Sequence, residues 1–102
     1  MKLVEVCALQ DIPPGKSRAA WIDATSIALF NMDGSLHAIE NTCLHAGASL
    51  VGGAFCGKTV ACPAHGWRYD VTTGALIVAP ELRLRTFPVK VVADKVMVEV
   101  QA

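Results

Sequence analysis

The chain lacks an excess of charge of either sign. Its 102 residues include 9 Lys plus Arg and 9 Asp plus Glu, which gives a formal net charge of +0. A nucleic-acid-binding domain normally carries a basic patch that neutralises phosphates, and none is present here. The charge balance therefore argues against a protein that binds DNA or RNA.

Long apolar runs are missing as well, and the residues after Met1 do not resemble an export leader. No stretch approaches the roughly 18 consecutive apolar residues that a membrane-spanning helix needs. Met1 and Lys2 are followed directly by a short strand-like segment, without the longer apolar region and small-residue cleavage site of a secretory signal. We therefore expect a protein of the cytoplasm.

Charged residues are scarce at 18%, whereas hydrophobic residues make up 53%. This balance excludes a disordered chain and favours a packed core. The sequence contains no internal repeat, linker or low-complexity tract. We expect one domain that spans residues 1–102.

Residues typical of β-strands occur in short runs that are separated by turn residues, and no long helical pattern competes with them. Asp33-Gly34 predicts a tight hairpin turn. The expected fold is all-β, an antiparallel sandwich with a small subdomain within about residues 41–83. The predicted strands span residues 3–7, 17–22, 26–30, 36–40, 58–61, 67–71, 75–78, 84–92 and 96–100.

The four cysteines could form two disulfides, but without an export leader metal binding is the better interpretation. Two of them belong to short motifs that also contain histidine, Cys43-Leu44-His45 and Cys62-Pro63-Ala64-His65. Thiolate and imidazole together suit zinc or an iron-sulfur centre. A zinc finger usually takes its cysteines as one close pair and its histidines as another, whereas each motif here supplies one of each.

This arrangement resembles the Rieske [2Fe-2S] family, in which Cys-x-His is followed by Cys-x-x-His and two histidines replace two cysteines on one iron. The resemblance implies that Cys43 and Cys62 bind one iron and that His45 and His65 bind the other. It covers nearly the whole chain and is similar to the soluble ferredoxins of bacterial ring-hydroxylating oxygenases. Its other segments are Pro13-Pro14-Gly15, Asp33-Gly34, residues 65–70, Thr73-Gly74 and residues 84–89.

Such a ligand set raises the reduction potential. Two ferric ions, two sulfides and two thiolates sum to zero charge when the histidines are neutral, so an added electron is accepted more easily than by a four-thiolate cluster. High-potential relatives have a further cysteine in each loop and a serine near the cluster. This chain has Ala48, Ala64 and Trp67 at those places. Tyr69 aligns with a tyrosine that donates to a ligand thiolate, so we expect a low-potential ferredoxin that keeps one potential-raising contact.

The remaining candidate residues have less specific interpretations. Cys7 and Cys56 are expected to fill the core or a loop, and His37 to face solvent rather than a metal. Trp67 and Tyr69 could be ordinary strand aromatics or could tune the cluster. Residues 79–81 resemble the proline-containing loop that covers the cluster in this family, the alternative being an ordinary connection. Asp94-Lys95 is expected to turn the last hairpin, with mild strain at a non-glycine residue.

The resemblance implies a one-electron carrier that is not itself an enzyme. It would accept electrons from a flavin-dependent ferredoxin reductase and deliver them to a terminal oxygenase, one that hydroxylates aromatic rings, and it would act as a monomer. Two alternatives are a Rieske-like small subunit of a larger oxidoreductase such as assimilatory nitrite reductase, and a redox or iron sensor. Intact ligands argue against the first, and the missing basic patch argues against a DNA-binding sensor.

The ligand assignment predicts the metal content. We expect two irons and two acid-labile sulfides per chain, measured by metal and sulfide analysis of the purified protein. His65→Cys should lower the potential, because a thiolate adds negative charge to the centre. Tightly bound zinc without labile sulfide would contradict the assignment.

Overall fold

A computed structural model describes residues 2–42, 49–64 and 66–100. The described residues form short strands and one 3-10 turn at Leu9–Asp11, without an α-helix among them, so the predicted all-β class is confirmed. No helix in these ranges is long and apolar enough to cross a membrane. The strands are β1 (Lys2–Ala8), β2 (Ser17–Ile22), β3 (Thr25–Met32), β4 (Ser35–Glu40), β5 (Phe55–Cys56), β6 (Thr59–Ala61), β7 (Arg68–Asp70), β8 (Ala75–Leu76), β9 (Ala79–Arg83), β10 (Thr86–Phe87), β11 (Val89–Val92) and β12 (Lys95–Val100).

The strands pair into three antiparallel sheets. Sheet one has the order β1-β12-β11, sheet two has the order β10-β4-β3-β2, and sheet three has the order β5-β6-β7-β8-β9. Cys62 directly follows β6 of sheet three, and the strands of this sheet lie within the range 41–83 of the predicted small subdomain.

Strand β3 is buried on both of its faces. Side chains alternate across a strand, so Ala28 and Phe30 face one way while Ile27 and Leu29 face the other, and all four are fully buried. The first pair belongs to a hydrophobic core shared with sheet three, and the second pair belongs to a core shared with sheet one. Sheets one and three therefore lie on opposite faces of sheet two.

The hairpin between β3 and β4 turns where the sequence predicts. Asp33 and Gly34 both have positive φ, at 54° and 96°, as a two-residue turn of the favoured type requires. Asn31 stabilises the turn because its Oδ1 accepts a hydrogen bond from the Gly34 amide at 2.8 Å. Its Nδ2 donates to the Ile12 carbonyl at 2.7 Å, which joins the hairpin to the segment before β2.

The prediction of one strand over residues 84–92 is wrong. Thr86–Phe87 pairs with β4 in sheet two, whereas Val89–Val92 pairs with β12 in sheet one. Pro88 lies between them and has no amide hydrogen to continue a ladder. The apolar pattern continues through this residue because both strands bury side chains, although they belong to different sheets.

Three further predictions need correction. Residues 77–78 form a turn instead of continuing the strand that begins at Ala75, and residues 79–83 form the edge strand β9 instead of a loop. Phe55–Cys56 forms the strand β5, which is absent from the strands predicted from the sequence. With two residues, β5 and β8 are too short to show the alternation that identifies a strand.

The last hairpin turns one residue earlier than expected. Ala93 and Asp94 have φ of 50° and 63°, and Lys95 is already the first residue of β12, opposite Val92. The expected positive φ at a non-glycine residue is present, but it falls on Ala93 and Asp94. For alanine this conformation is unfavourable by about 1–2 kcal/mol.

Gly74 allows the chain to pass very close to the segment after β9. It has φ of 79°, and an added Cβ would lie 2.1 Å from the Leu84 carbonyl oxygen. The Leu84 amide donates to the Gly74 carbonyl at 2.9 Å, and the Leu84 side chain is buried in the core shared with sheet three.

We expect Gly74→Ala to lower the free energy of unfolding by about 3 kcal/mol, because it adds a backbone clash to the strain of positive φ. Chemical denaturation of the purified protein measures this change. Gly34→Ala is the control, since its φ is also positive but its Cβ would meet open space. That variant should lose only about 1 kcal/mol, and equal losses in the two variants would contradict the close-approach explanation.

Candidate metal centre

Of the four predicted ligands, Cys62 lies within the described residues. Cys43, His45 and His65 lie outside them. Cys62 follows the last residue of β6 and is 2% exposed, as part of the core shared by sheets two and three. Its thiol is not in a disulfide, so a buried sulfur is available at the base of the second motif.

The described residues of the second motif, Cys62, Pro63 and Ala64, lie in the connection between the paired strands β6 and β7. The Cys62 amide donates to the Trp67 carbonyl at 2.6 Å, and the Gly66 amide donates to the Cys62 carbonyl at 2.8 Å. These two bonds join the beginning and the end of the connection between β6 and β7. Cys62 is buried, whereas Pro63, Ala64 and Gly66 are exposed, so the turn leads from the core to the surface.

Asn41 holds together the two ends of the first motif's segment. It lies directly after β4 and is 8% exposed. Its Oδ1 accepts hydrogen bonds from the Leu50 amide at 2.8 Å and from the Ser49 hydroxyl at 3.0 Å. Its Nδ2 donates to the Ser26 hydroxyl at 3.1 Å. The residues on either side of 43–48 are therefore joined to each other and to β3.

Gly53 brings this first segment against the second. A Cβ at Gly53 would lie 2.0 Å from the Ala61 carbonyl oxygen and 2.9 Å from a methyl group of Val60. The Ala61 amide donates to the Ala54 carbonyl at 2.9 Å, and the Gly53 amide donates to the Leu50 carbonyl at 3.1 Å. The end of the first segment thus lies beside Ala61, the residue that precedes Cys62.

Apolar side chains surround Cys62 on its inner side. Tyr69 is fully buried in the same core and pairs with Val60 and Leu76 in sheet three. Trp67 is half-buried and packs against this core. Both aromatic residues therefore help to exclude water near Cys62. This placement agrees with either prediction from the sequence, an ordinary strand aromatic or a residue that tunes the cluster.

Asp70 ends β7 and organises the turn that follows it. Its Oδ1 accepts hydrogen bonds from the Thr72 hydroxyl at 2.5 Å and from the Thr72 amide at 2.8 Å. The hydroxyl bond is the main cause that lowers the pKa of the Asp70 carboxyl below its ordinary value. Asp70 is therefore a turn-stabilising carboxylate.

The other cysteines and the third histidine lie on strands of the sandwich. Cys7 in β1 is half-buried against the core shared with sheet one, and burial raises the pKa of its thiol. This placement agrees with the predicted filling role. Cys56 lies in β5. His37 lies in β4 opposite Phe30 and is half-buried, so it is less open to solvent than predicted.

The segment over residues 79–81 is part of a strand, contrary to the predicted covering loop. Ala79 pairs with Leu76 at the edge of sheet three and packs against its core. Pro80 and Glu81 are exposed, and an edge strand tolerates a proline because its outer side needs no amide donor. That this segment covers the metal centre stays a prediction.

The described part of the site fits an iron-sulfur cluster. Cys62 could supply a soft sulfur ligand from a buried position in an apolar core. Pro63 and Ala64, which follow Cys62 in the motif, are exposed, and the predicted ligand His65 lies outside the described residues. Asn41 and Gly53 link the two segments that carry the predicted ligands, and no sequence motif marks either residue. The sequence shows only that Asn41 precedes the Cys-x-His motif and that Gly53 lies in a segment rich in glycine.

Comparisons with known proteins agree with these features. Residues 2–88 match the family described as the Rieske [2Fe-2S] domain. The ferredoxin component of the naphthalene 1,2-dioxygenase system from Pseudomonas aeruginosa is 32% identical over 99 residues, which cover 96% of this chain and 95% of that protein.

Two solved structures have the same fold. One is the complex of reduced oxygenase and oxidised ferredoxin in carbazole 1,9a-dioxygenase, with a TM-score of 0.83, 34% identity and coverage of 94% of this chain and 91% of the matched chain. The other is described as the small subunit of an NADH-dependent nitrite reductase from Mycobacterium tuberculosis. It has a TM-score of 0.90, 23% identity and coverage of 99% and 97%, and at this identity it supports the fold alone.

The family match extends over most of the chain and over both cysteine-histidine motifs, and the ferredoxin relative matches along nearly its full length. The predicted Rieske resemblance and the predicted [2Fe-2S] cofactor are confirmed. The chain belongs to the Rieske [2Fe-2S] domain family.

Proposed function

We propose that Cys43, His45, Cys62 and His65 hold the [2Fe-2S] cluster, with the two cysteines on one iron and the two histidines on the other. Both motifs lie within residues 2–88, which match the family. The observation that carries the proposal is the burial of Cys62 in a turn whose next residues, Pro63 and Ala64, are exposed. A thiolate ligand is thereby kept from water while the adjoining residues remain at the surface.

The protein is a one-electron carrier and a component of a ring-hydroxylating dioxygenase system. Its relatives are ferredoxin components of such systems, and one of them is part of a complex with its oxygenase. The bound cluster supplies a reversible one-electron couple. The chain itself supplies the ligands, the apolar surroundings of Cys62 and a surface for partners.

Catalysis belongs to the partner oxygenase. With four protein ligands on the cluster, no position at the metal is left for a substrate. The electrons come from a flavin-dependent ferredoxin reductase in the cytoplasm, and the chain works as a monomer whose domain spans residues 1–102. The names of the relatives support the oxygenase as the acceptor.

The docking surface surrounds the exposed end of the second ligand turn. It consists of Pro63, Ala64, Gly66, Arg68, the turn at Ile77 and Val78, and Pro80 with Glu81 in β9. The Ile77 amide donates to the Arg68 carbonyl at 2.9 Å, which holds the turn against β7. Val78 is 79% exposed, and Arg68 and Glu81 are exposed as well.

This surface suits a transient contact. It combines exposed apolar side chains with single charges of opposite sign, and a carrier must release each partner in turn. Small interfaces of mixed polarity are typical of redox partners. Exposed charges at such a rim change the association rate more than the final affinity.

We expect Arg68→Glu and Glu81→Lys to change the salt dependence of electron delivery to the oxygenase while the visible spectrum of the cluster is unchanged. The measurement is the second-order rate of electron transfer from reduced ferredoxin at several ionic strengths. Lys2→Glu is the matched control, because Lys2 is exposed on β1 in sheet one, on the opposite side of sheet two.

The control variant should behave like the unmodified protein. If all three reversals have the same effect, the docking surface is assigned to the wrong part of the molecule. If the protein purifies as a stoichiometric subunit that salt cannot separate, the shuttle role itself is wrong.

The reduction potential should lie in the lower part of the Rieske range, which is roughly −150 to +300 mV. We expect Tyr69→Phe to lower it by about 40 mV, which corresponds to the loss of one hydrogen bond of about 1 kcal/mol to a ligand sulfur. Protein-film voltammetry measures the shift.

Phe30→Leu is the control for changes in packing, because Phe30 is a fully buried aromatic residue in the same core. Its potential should stay close to that of the unmodified protein. An unchanged potential in Tyr69→Phe would show that the Tyr69 hydroxyl does not bond a ligand sulfur.

A further inference from the structure

We infer that Asn41 is a positioning residue for the cluster. Its side chain acts as a clamp on the segment that contains Cys43 and His45, and this inference rests on the proposed ligand set. The clamp consists of the three side-chain bonds that join Asn41 to Ser26, Ser49 and Leu50.

The burial of Asn41 makes these bonds consequential. The side chain is 8% exposed and uses both of its polar ends. A buried amide that loses its partners is strongly unfavourable, so the bonds are maintained cooperatively. The Asn41 amide also donates to the Ser26 carbonyl at 3.0 Å, which fixes the residue to β3.

The position of the clamp links it to the ligands. Asn41 precedes Cys43 by two residues, and its partners Ser49 and Leu50 directly follow the segment 43–48. Leu50 is fully buried in the core that contains Cys62. One side chain therefore sets the distance between the ends of the first ligand segment and places its far end in the core of the second.

The connection to the second motif continues through the backbone. Leu50 accepts a hydrogen bond from the Gly53 amide, and Gly53 lies against Ala61, the neighbour of Cys62. A shift of Leu50 would therefore change the relative position of the two ligand segments. This coupling distinguishes Asn41 from an asparagine that merely stabilises the fold.

The chain contains a matched control. Asn31 is 4% exposed, lies at the other end of the β3-β4 hairpin and makes one donor and one acceptor bond through its side chain, one acceptor bond fewer than Asn41. Its partners are Ile12, which lies before β2, and Gly34 in the turn between β3 and β4, at the opposite end of the hairpin from Asn41. Asn31→Leu and Asn41→Leu thus remove similar buried bonds, one remote from the ligands and one beside them.

The test compares Asn41→Leu, Asn41→Asp and Asn31→Leu. Each is purified with its cluster, and the rate of iron release to a ferrous chelator under reducing conditions is measured well below the unfolding midpoint, together with the electron paramagnetic resonance spectrum. We expect Asn41→Leu to release iron about tenfold faster or more. This factor corresponds to the loss of one buried hydrogen bond whose net free energy lies at the upper end of the usual range. Its spectrum should broaden.

Asn31→Leu should lower the thermal midpoint but keep the spectrum and the release rate. Asn41→Asp keeps both acceptor bonds, and the Ser26 hydroxyl can donate to its carboxylate, so it should restore retention of the cluster. Its potential should fall because a buried negative charge opposes reduction. Ser49→Ala, which removes one bond, should release iron at an intermediate rate if Asn41→Leu does not accumulate.

Amide hydrogen exchange provides a readout that needs no cluster activity. In Asn41→Leu the Leu50 amide should lose protection, while in Asn31→Leu it should stay protected. Equal iron release and equal spectra in the two leucine variants would overturn the clamp. An unmodified protein that binds zinc and no labile sulfide would instead overturn the proposed ligand set, and the inference with it.

Discussion

The burial of strand β3 on both faces is the constraint on which the rest of the structure depends. Five consecutive residues of this strand, from Ile27 to Asn31, are buried. Sheet two therefore contributes side chains to two cores at once. A chain of 102 residues thereby buries apolar surface on both sides of a single sheet. Sheet one covers one face, and sheet three, whose strand β6 leads into Cys62, covers the other.

Placing a metal centre on such a small sheet requires precise local contacts. Strands β5 and β8 have two residues each, and few ladder bonds hold sheet three together. The arrangement of its strands depends instead on the close backbone contacts at Gly53 and Gly74 and on the core around Tyr69. Sheet three can then hold exposed motif residues such as Pro63 in place. Functional loops are generally positioned by a rigid scaffold in this way.

The fold class and the Asp33-Gly34 hairpin could be predicted from the sequence because each depends on local chemistry, and the two cysteine-histidine motifs were visible there for the same reason. The predicted strands were wrong where pairing between segments distant in sequence decides the structure. Pro88 separates two strands that share one apolar run, and the turn residue Val78 is apolar but exposed. Asn41 was overlooked for the same reason, since its role depends on Ser26, a partner in another strand. Such contacts leave no periodic pattern in the sequence.

The residue type at position 41 also fits its place beside a redox centre. The site needs an acceptor for the Leu50 amide and the Ser49 hydroxyl and a donor for Ser26. Serine is too short to bridge partners on both sides, and aspartate would add a buried charge that opposes electron uptake. Asparagine meets both needs without net charge. A neutral clamp holds the ligand segment in place and leaves the potential to be set by the ligands and their sulfur contacts.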